Sequence, residues 1–566
     1  MLMHSLMRAF MADIDKSKPN KSDSQKMASA EFWWWAALGL VIIGAVVIRG
    51  RLLTIPLERD EGEYAYIAQQ MLKGVPPYLS AYSMKLPGIY VVYALILSVF
   101  GQTVTAIHLG VVIFNAVTIL VLFWLAKNLF GPLAGLASAI AYAITSLVWS
   151  MQGFSANAEH FVVLPALVGL LLICKTDNKR RYARLFAAGL LLGLAFIIKQ
   201  HGIFFAVFGA AYLCYADLRS RPIQWGKVIN TQIVFAAGAA IPFALVCLIL
   251  WHVGAFEKFW FWTFIYANKY ATFIPLSMAW EMFRYQFMLV LGSTTLIWLF
   301  ALLGLLAVII VGRFRQWAVF TVGLLIFSFL AVCPGFYFRG HYFLLWLPAV
   351  AILAGAGFAG FSSGLNKLLA WFFDRIPGFY SGLVVFLAGL AIVGFSLFQQ
   401  RAYLFYNTPV ETCRLIYGAN PFPESLKIAE FIRASGSPDD TVAVLGSEPQ
   451  IYFYSNRRAA TRYIYTYPLM ELHPYAAAMQ KEMIGEIESA KPEWIVLVRV
   501  SVSWLGGPDS VKDIIKWSNA YVNNFYHTAG IVEILSNGQV TYRWNEQVAG
   551  YEPTSGFWIA VFRRTH

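Results

Sequence analysis

Charge is what this chain of 566 residues has least of: Asp, Glu, Lys and Arg make up 13%, against 59% hydrophobic residues. A single soluble domain is excluded, because long and nearly uncharged segments recur through residue 400. Cysteine is scarce too. Cys174, Cys214, Cys247 and Cys333 lie in or at the end of apolar runs, and Cys413 stands alone in the polar tail. That leaves no disulfide framework, and no CxxC or Cys/His spacing for a structural metal. The net charge of +13 lacks any basic stripe or recognition motif, so no nucleic acid is expected as partner. The turn Gly446-Ser447-Glu448-Pro449 is neither a P-loop nor GxGxxG. There are no internal repeats and no low-complexity segment, and no small-residue cleavage pattern follows the first apolar run, which reads as a retained helix.

What is present is a succession of spans. Lys and Arg gather in the short links between them, at Lys175, Lys179, Arg180, Arg181 and Arg184, at Arg219, Arg221 and Lys227, at Arg313 and Arg315, and at Lys367 and Arg375. Such clusters mark the cytoplasmic side. With the basic tail 1–32 inside, one side collects every link, provided that the run 87–101 lies along the interface instead of crossing. The reading is a polytopic α-helical membrane protein of about eleven transmembrane helices over 33–401, near 33–50, 103–126, 131–150, 161–174, 185–199, 203–216, 231–251, 288–311, 317–334, 342–361 and 379–399. Outer loops fall at 51–102, 151–160, 252–287 and 335–341. From 402 to 566 the composition is that of a soluble α/β domain on the extracytoplasmic (periplasmic) face. Strands are expected at Thr441 to Leu445, Trp494 to Val498, Val532 to Leu535, Val540 to Trp544 and Phe557 to Phe562, and helices over Ser425 to Arg433 and Tyr475 to Ser489.

The stretch Glu58-Arg59-Asp60-Glu61-Gly62-Glu63-Tyr64 holds four carboxylates directly after the first span. Charge beside a bilayer costs free energy unless it has a partner or a task. By the parity of the spans, Asp60, Glu61, Lys85, Glu159, His160, Lys199, Arg339 and His341 all fall on the outer face. Three cations there run against the positive-inside bias. Cations facing carboxylates suit a reaction on an anionic substrate, above all a phosphate. For any one lysine, snorkelling to lipid headgroups is the simpler account. The aromatic outer loop with Trp260, Trp262, Tyr266 and Tyr270 reads as an interface belt.

Asp60 to Ala65, Gly74, Lys85-Leu86-Pro87, Phe100-Gly101, the run Gly193 to Lys199 and Arg339 to Pro348 together resemble the GT-C glycosyltransferases. The branch is that of the protein O-mannosyltransferases and the lipid A aminoarabinose transferases. Leu86 departs from that branch's Lys-Pro-Pro. The resemblance implies an inverting glycosyltransferase of the cell envelope, multi-pass in the inner membrane. It would move a sugar from a polyprenyl-phosphate carrier to a hydroxyl of a lipid, glycan or protein acceptor. In that setting Asp60 is the expected base, with Glu61 a lesser candidate and Glu159 its companion carboxylate. Lys85, Lys199 and Arg339 are expected to bind the donor phosphate. Tyr64, His160, His341 and Tyr342 are candidates for substrate contact. A divalent cation on Asp60, Glu159 and His160 is left open, as some relatives require one and others do not. The alternative from another class is a transporter or flippase of a lipid-linked or anionic substrate. It would place charges at mid-membrane in symmetric halves.

Overall fold

A computed structural model describes residues 21–174, 180–372, 378–536 and 538–565. Most of the expected cytoplasmic tail, and the topology markers Lys175, Lys179 and Arg375, lie outside the described residues. The protein is a polytopic membrane protein with a C-terminal sheet domain. Seven described helices are long and apolar enough to cross a bilayer: Glu31–Gly50, Val104–Phe130, Arg181–Ile198, Gln200–Leu218, Trp225–His252, Leu347–Leu369 and Tyr380–Gln399. An eighth span is available if the pair Leu276–Gly292 and Thr295–Ile310 counts as one. The pair is bent by 106° at Ser293 and Thr294.

The expected spans near 131–150, 161–174 and 317–334 are short apolar helices, Pro132–Thr145, Ala158–Cys174 and Ala318–Leu330. The run 87–101 forms Gly88–Phe100, too short to cross. Two boundaries moved in ways that matter. The loop expected at 151–160 ends early, because the helix starts at Ala158 and carries Glu159 in its first turn. The loop expected at 252–287 is largely helical, with Phe256–Trp260, Phe261–Tyr266, Ala267–Ala271 and most of Leu276–Gly292.

Residues 441–564 supply one six-stranded sheet: β1 Thr441–Leu445, β2 Arg458–Ala459, β3 Trp494–Arg499, β4 Tyr526–Ile534, β5 Val540–Trp544 and β6 Trp558–Arg564. Their order is β2-β1-β3-β6-β4-β5, parallel through β2, β1 and β3 and antiparallel beyond. Strand β1 shows why both faces are covered. Ala443 and Leu445 pack with Met479, Met483 and Ile487 of the helix Ala476–Ala490. Val442 and Val444 join the cluster containing Ile428 and Ile432 of Phe422–Ser435. Successive side chains leave opposite faces, so an unbroken apolar strand fits only between two layers. Strand β6 lies inside the sheet between β3 and β4. The two-residue β2 was not expected at all. The N–H of its Ala459 donates to the Tyr66 hydroxyl at 2.9 Å.

Tyr66 belongs to the helix Arg59–Leu72, which lies between the membrane helices and the sheet domain. Gly62 makes that contact possible: a Cβ there would sit 2.6 Å from the Gln450 backbone nitrogen. Replacing Gly62 with Leu is therefore expected to cost ~1–3 kcal/mol by overpacking, read as a lowered midpoint of heat denaturation. Gly39→Leu, where a Cβ meets open space, should leave the midpoint unchanged.

Candidate active site

The helix Arg59–Leu72 opens with a capping box that divides the four acids by role. Glu58 accepts the Glu61 N–H at 3.2 Å, and Glu61 Oε2 accepts the Glu58 N–H at 3.0 Å. Asp60 and Glu63, three residues apart, share one face of the helix. Both line a cavity of about 930 Å³. Its walls include Lys85, Lys199, His201, Arg339, His341 and Tyr342 from the membrane part, and Tyr463, Tyr465, Tyr467 and Glu471 from the sheet domain.

Two ion pairs organise this cavity, Asp60 with Lys85 partly buried and Glu159 with Lys199 buried. Lys85 Nζ donates to Asp60 Oδ2 at 3.0 Å and lies 3.3 Å from the Tyr64 hydroxyl. Its loop is held by the Tyr78 hydroxyl on the Lys85 carbonyl at 2.7 Å. Lys199, the C-cap of Arg181–Ile198, pairs with Glu159 and sits 4.3 Å from the centre of the Tyr342 ring. His341 Nε2 is 4.0 Å from the same Glu159 oxygen, while its Nδ1 is 2.9 Å from Gln152 Oε1. Arg339 is open to the cavity, its guanidinium 5.4 Å from the centre of the Tyr337 ring.

Burial works against the charge of Asp60, yet Lys85 holds its carboxyl well below the usual carboxylate range. Glu63 goes the other way. Burial raises it to about 7, opposed by Lys85 and by a hydrogen bond from Ser83, and reinforced by the negative Asp60. Burial pushes Lys199 down, against the pull of Glu159. His341 is lowered well below its ordinary value, first by burial and then by Lys199. The site thus holds a fully ionised carboxylate beside a second one that exchanges a proton near neutrality.

Of the residues expected at the site, Asp60, Glu159, Lys85, Lys199, Arg339, Tyr64, His341 and Tyr342 come together. Glu61 does not. It is buried, and its Oε1 accepts the Ala156 N–H at 2.5 Å and lies 2.9 Å from His108 Nε2, which ties the helix to the membrane part. His160 is also turned away. It is 2% exposed, and neither ring nitrogen has a hydrogen-bond partner. Among the described residues no three His, Cys, Asp or Glu side chains gather as a metal cluster. The aromatic belt is corrected in part: Trp260 is exposed, but Trp262 is buried and stacks on Tyr82 at 5.1 Å. The sequence reading passed over Glu63, whose spacing from Asp60 was the available signal. Glu471 and the tyrosines of the sheet domain gave none.

Comparison with known proteins bears on the family and the fold. Residues 85–252 match the family described as dolichyl-phosphate-mannose-protein mannosyltransferase. That segment contains Lys85, Glu159 and Lys199 and begins after Asp60. The undecaprenyl phosphate-alpha-4-amino-4-deoxy-L-arabinose arabinosyl transferase of Pseudomonas aeruginosa strain UCBPP-PA14 is 27% identical over 231 residues, 39% of this chain and 40% of that one. For strain LESB58 the identity is 28% over 198 residues, 33% and 35%. The chain thus matches well under half the length of these curated relatives. Among solved structures, ArnT from Cupriavidus metallidurans bound to undecaprenyl phosphate superposes with a TM-score of 0.57 at 14% identity, over 92% of this chain and 97% of that one. The Archaeoglobus fulgidus oligosaccharyltransferase tethered to an acceptor peptide gives 0.53 at 12%, over 91% and 74%.

The fold is the one these membrane glycosyltransferases share, and the resemblance to the GT-C class is borne out. Within that class the likeness runs to the aminoarabinose transferases and the protein mannosyltransferases. The transporter alternative finds no support in these matches.

Glu63 supplies a test that needs no substrate. Its pKa rises from an ordinary 4.5 to about 7 on folding, so its contribution to stability is complete below 4.5 and lost as pH climbs through 7. The denaturation midpoint of the wild type should therefore fall between pH 4.5 and 8 relative to that of Glu63→Gln. Parallel curves for the two would contradict the assignment.

Proposed function

We propose that this protein is an inverting glycosyltransferase that uses a polyprenyl-phosphate sugar, with undecaprenyl phosphate as the carrier, and glycosylates a hydroxyl on the extracytoplasmic face. The observation that carries the proposal is the ion pair of Asp60 and Lys85, set in one cavity with Lys199 and Arg339. An acid held ionised beside several cations suits attack on a sugar phosphate. Likeness to transferases whose names and complexes include undecaprenyl phosphate supports the choice of donor.

Asp60 receives the acceptor's proton as the acceptor oxygen attacks the anomeric carbon. The bond from that carbon to the phosphate oxygen breaks, and the phosphate departs with the electron pair. Lys85, Lys199 and Arg339 neutralise the charge that grows on it. Lys85 links the two events. As it turns toward the leaving phosphate it releases its hold on Asp60, whose basicity then rises when the proton arrives. Glu159 holds Lys199 in place, and Tyr64 and Tyr342 flank the two lysines. We assign the catalytic unit to 33–401, with the domain 402–566 over it. Eleven crossings follow if the three short apolar helices and the bent pair cross beside the seven long ones. The N-terminus then lies in the cytoplasm, the sheet domain in the periplasm, and the helices in the inner membrane. Meeting of residues from four expected outer loops in one cavity supports that orientation.

With purified protein and polyprenyl-phosphate sugars, Asp60→Asn should keep donor binding and lose transfer by about 10²–10⁴-fold. Full activity would remove Asp60 as the base. Lys199→Met should instead weaken binding of undecaprenyl phosphate, measured by calorimetry, and unchanged affinity would remove it from the phosphate site.

A further inference from the structure

We infer that the C-terminal sheet domain is a working part of the active site: Glu448 fixes Arg59, and Arg59 sets the position of Asp60. This rests on the reading of Asp60 as the base. Three consecutive residues at the start of one helix point three ways. Asp60 lines the cavity, Glu61 binds into the membrane part, and Arg59, also on the cavity wall, binds into the sheet domain.

The hold on Arg59 is complete. Its Nε donates to the Ser447 carbonyl at 2.6 Å, Nη1 to the Tyr467 hydroxyl at 2.5 Å, and Nη2 to Asn420 Oδ1 at 3.0 Å and Glu448 Oε1 at 3.2 Å. The faces of the guanidinium lie 4.9 Å from the centre of the Tyr467 ring and 5.3 Å from that of Phe422. Glu448 is fully buried, and its second oxygen accepts the Ser503 hydroxyl at 2.6 Å. All these partners lie beyond residue 402.

A cation in the first turn of a helix opposes the helix dipole, so local structure gives no reason for arginine at this position. The carboxylate from the other domain does. The same helix takes further contacts from that domain. The Leu57 N–H just before it donates to the Tyr454 hydroxyl at 2.8 Å, and Gly62 meets the Gln450 backbone. Loss of the Arg59 anchor therefore frees the first turn, and Asp60 with it, relative to Lys85, whose own loop is tied to the sheet domain separately by the Tyr82 N–H on the Arg462 carbonyl at 2.8 Å. Lys85 and Lys199 take their bonds from Asp60 and Glu159, not from Arg59 or Glu448, so neither substitution removes a partner of these cations. Arg59 and Glu448 are positioning residues, and their loss acts on turnover more than on donor binding.

The test uses the full-length protein in detergent with Glu448→Gln, Arg59→Lys and the double variant. Each single change is expected to lower kcat roughly 10- to 100-fold, with undecaprenyl phosphate affinity within about twofold and little change in kcat between single and double variants. A second readout is independent of turnover: carbodiimide labelling of Asp60, followed by mass spectrometry with undecaprenyl phosphate absent, should speed up in both single variants as the contact with Lys85 loosens. Glu448→Asp should restore part of kcat and part of the protection. Wild-type labelling rates in the single variants would overturn the inference. So would a loss of kcat, donor affinity and thermal midpoint in equal step, the mark of general unfolding. Faster labelling in a protein that transfers no sugar even as wild type would leave the positioning intact and refute the transferase reading instead.

Discussion

Everything in this site depends on keeping one carboxylate charged while most of its surface is removed from water. Asp60 achieves this because Lys85 lies 3.0 Å away and meets the cost of desolvation. Neither partner would be stable there alone. The pair needs a rigid frame, since a buried charge left unpartnered by a small displacement is expensive. That frame is the helix Arg59–Leu72, anchored through Glu61 on the membrane side and Arg59 on the other.

The second pair, Glu159 with Lys199, repeats the arrangement with residues from two other helices. Together the pairs bring cations to the cavity, whose lining also includes tyrosines of the sheet domain. A sugar phosphate meeting such a space has a place for its charge and a surface for its apolar ring face. Asp60 and Glu63 differ through their surroundings: Lys85 bonds directly to Asp60 and lowers it, while burial and the negative Asp60 raise Glu63.

The membrane part was legible because a bilayer demands long uncharged runs and sorts basic links to one side. Lys85, Lys199 and Arg339 stood out for the same reason, as cations on the wrong side. Glu61 was the lesser candidate because adjacent residues project in different directions, and the helical period sets it apart from Asp60 and Glu63. The bend falls at Gly292-Ser293-Thr294-Thr295, a short interruption of an apolar run that is lost when hydrophobicity is averaged over the whole span. The sheet domain's share of the site was illegible for a deeper cause. The contacts of Arg59 with Ser447, Glu448 and Tyr467 join positions nearly four hundred residues apart, and no local pattern encodes how two domains dock.

Strand β2 carries one more implication. Edge strands expose unpaired backbone groups that invite pairing with other chains, and here that edge is two residues long, with the Ala459 N–H taken up by Tyr66 of the neighbouring domain. The membrane part is thus the guard that keeps the sheet from recruiting a stranger's strand. Cut free at residue 402, the soluble portion would carry a bare margin into solution and tend toward self-association.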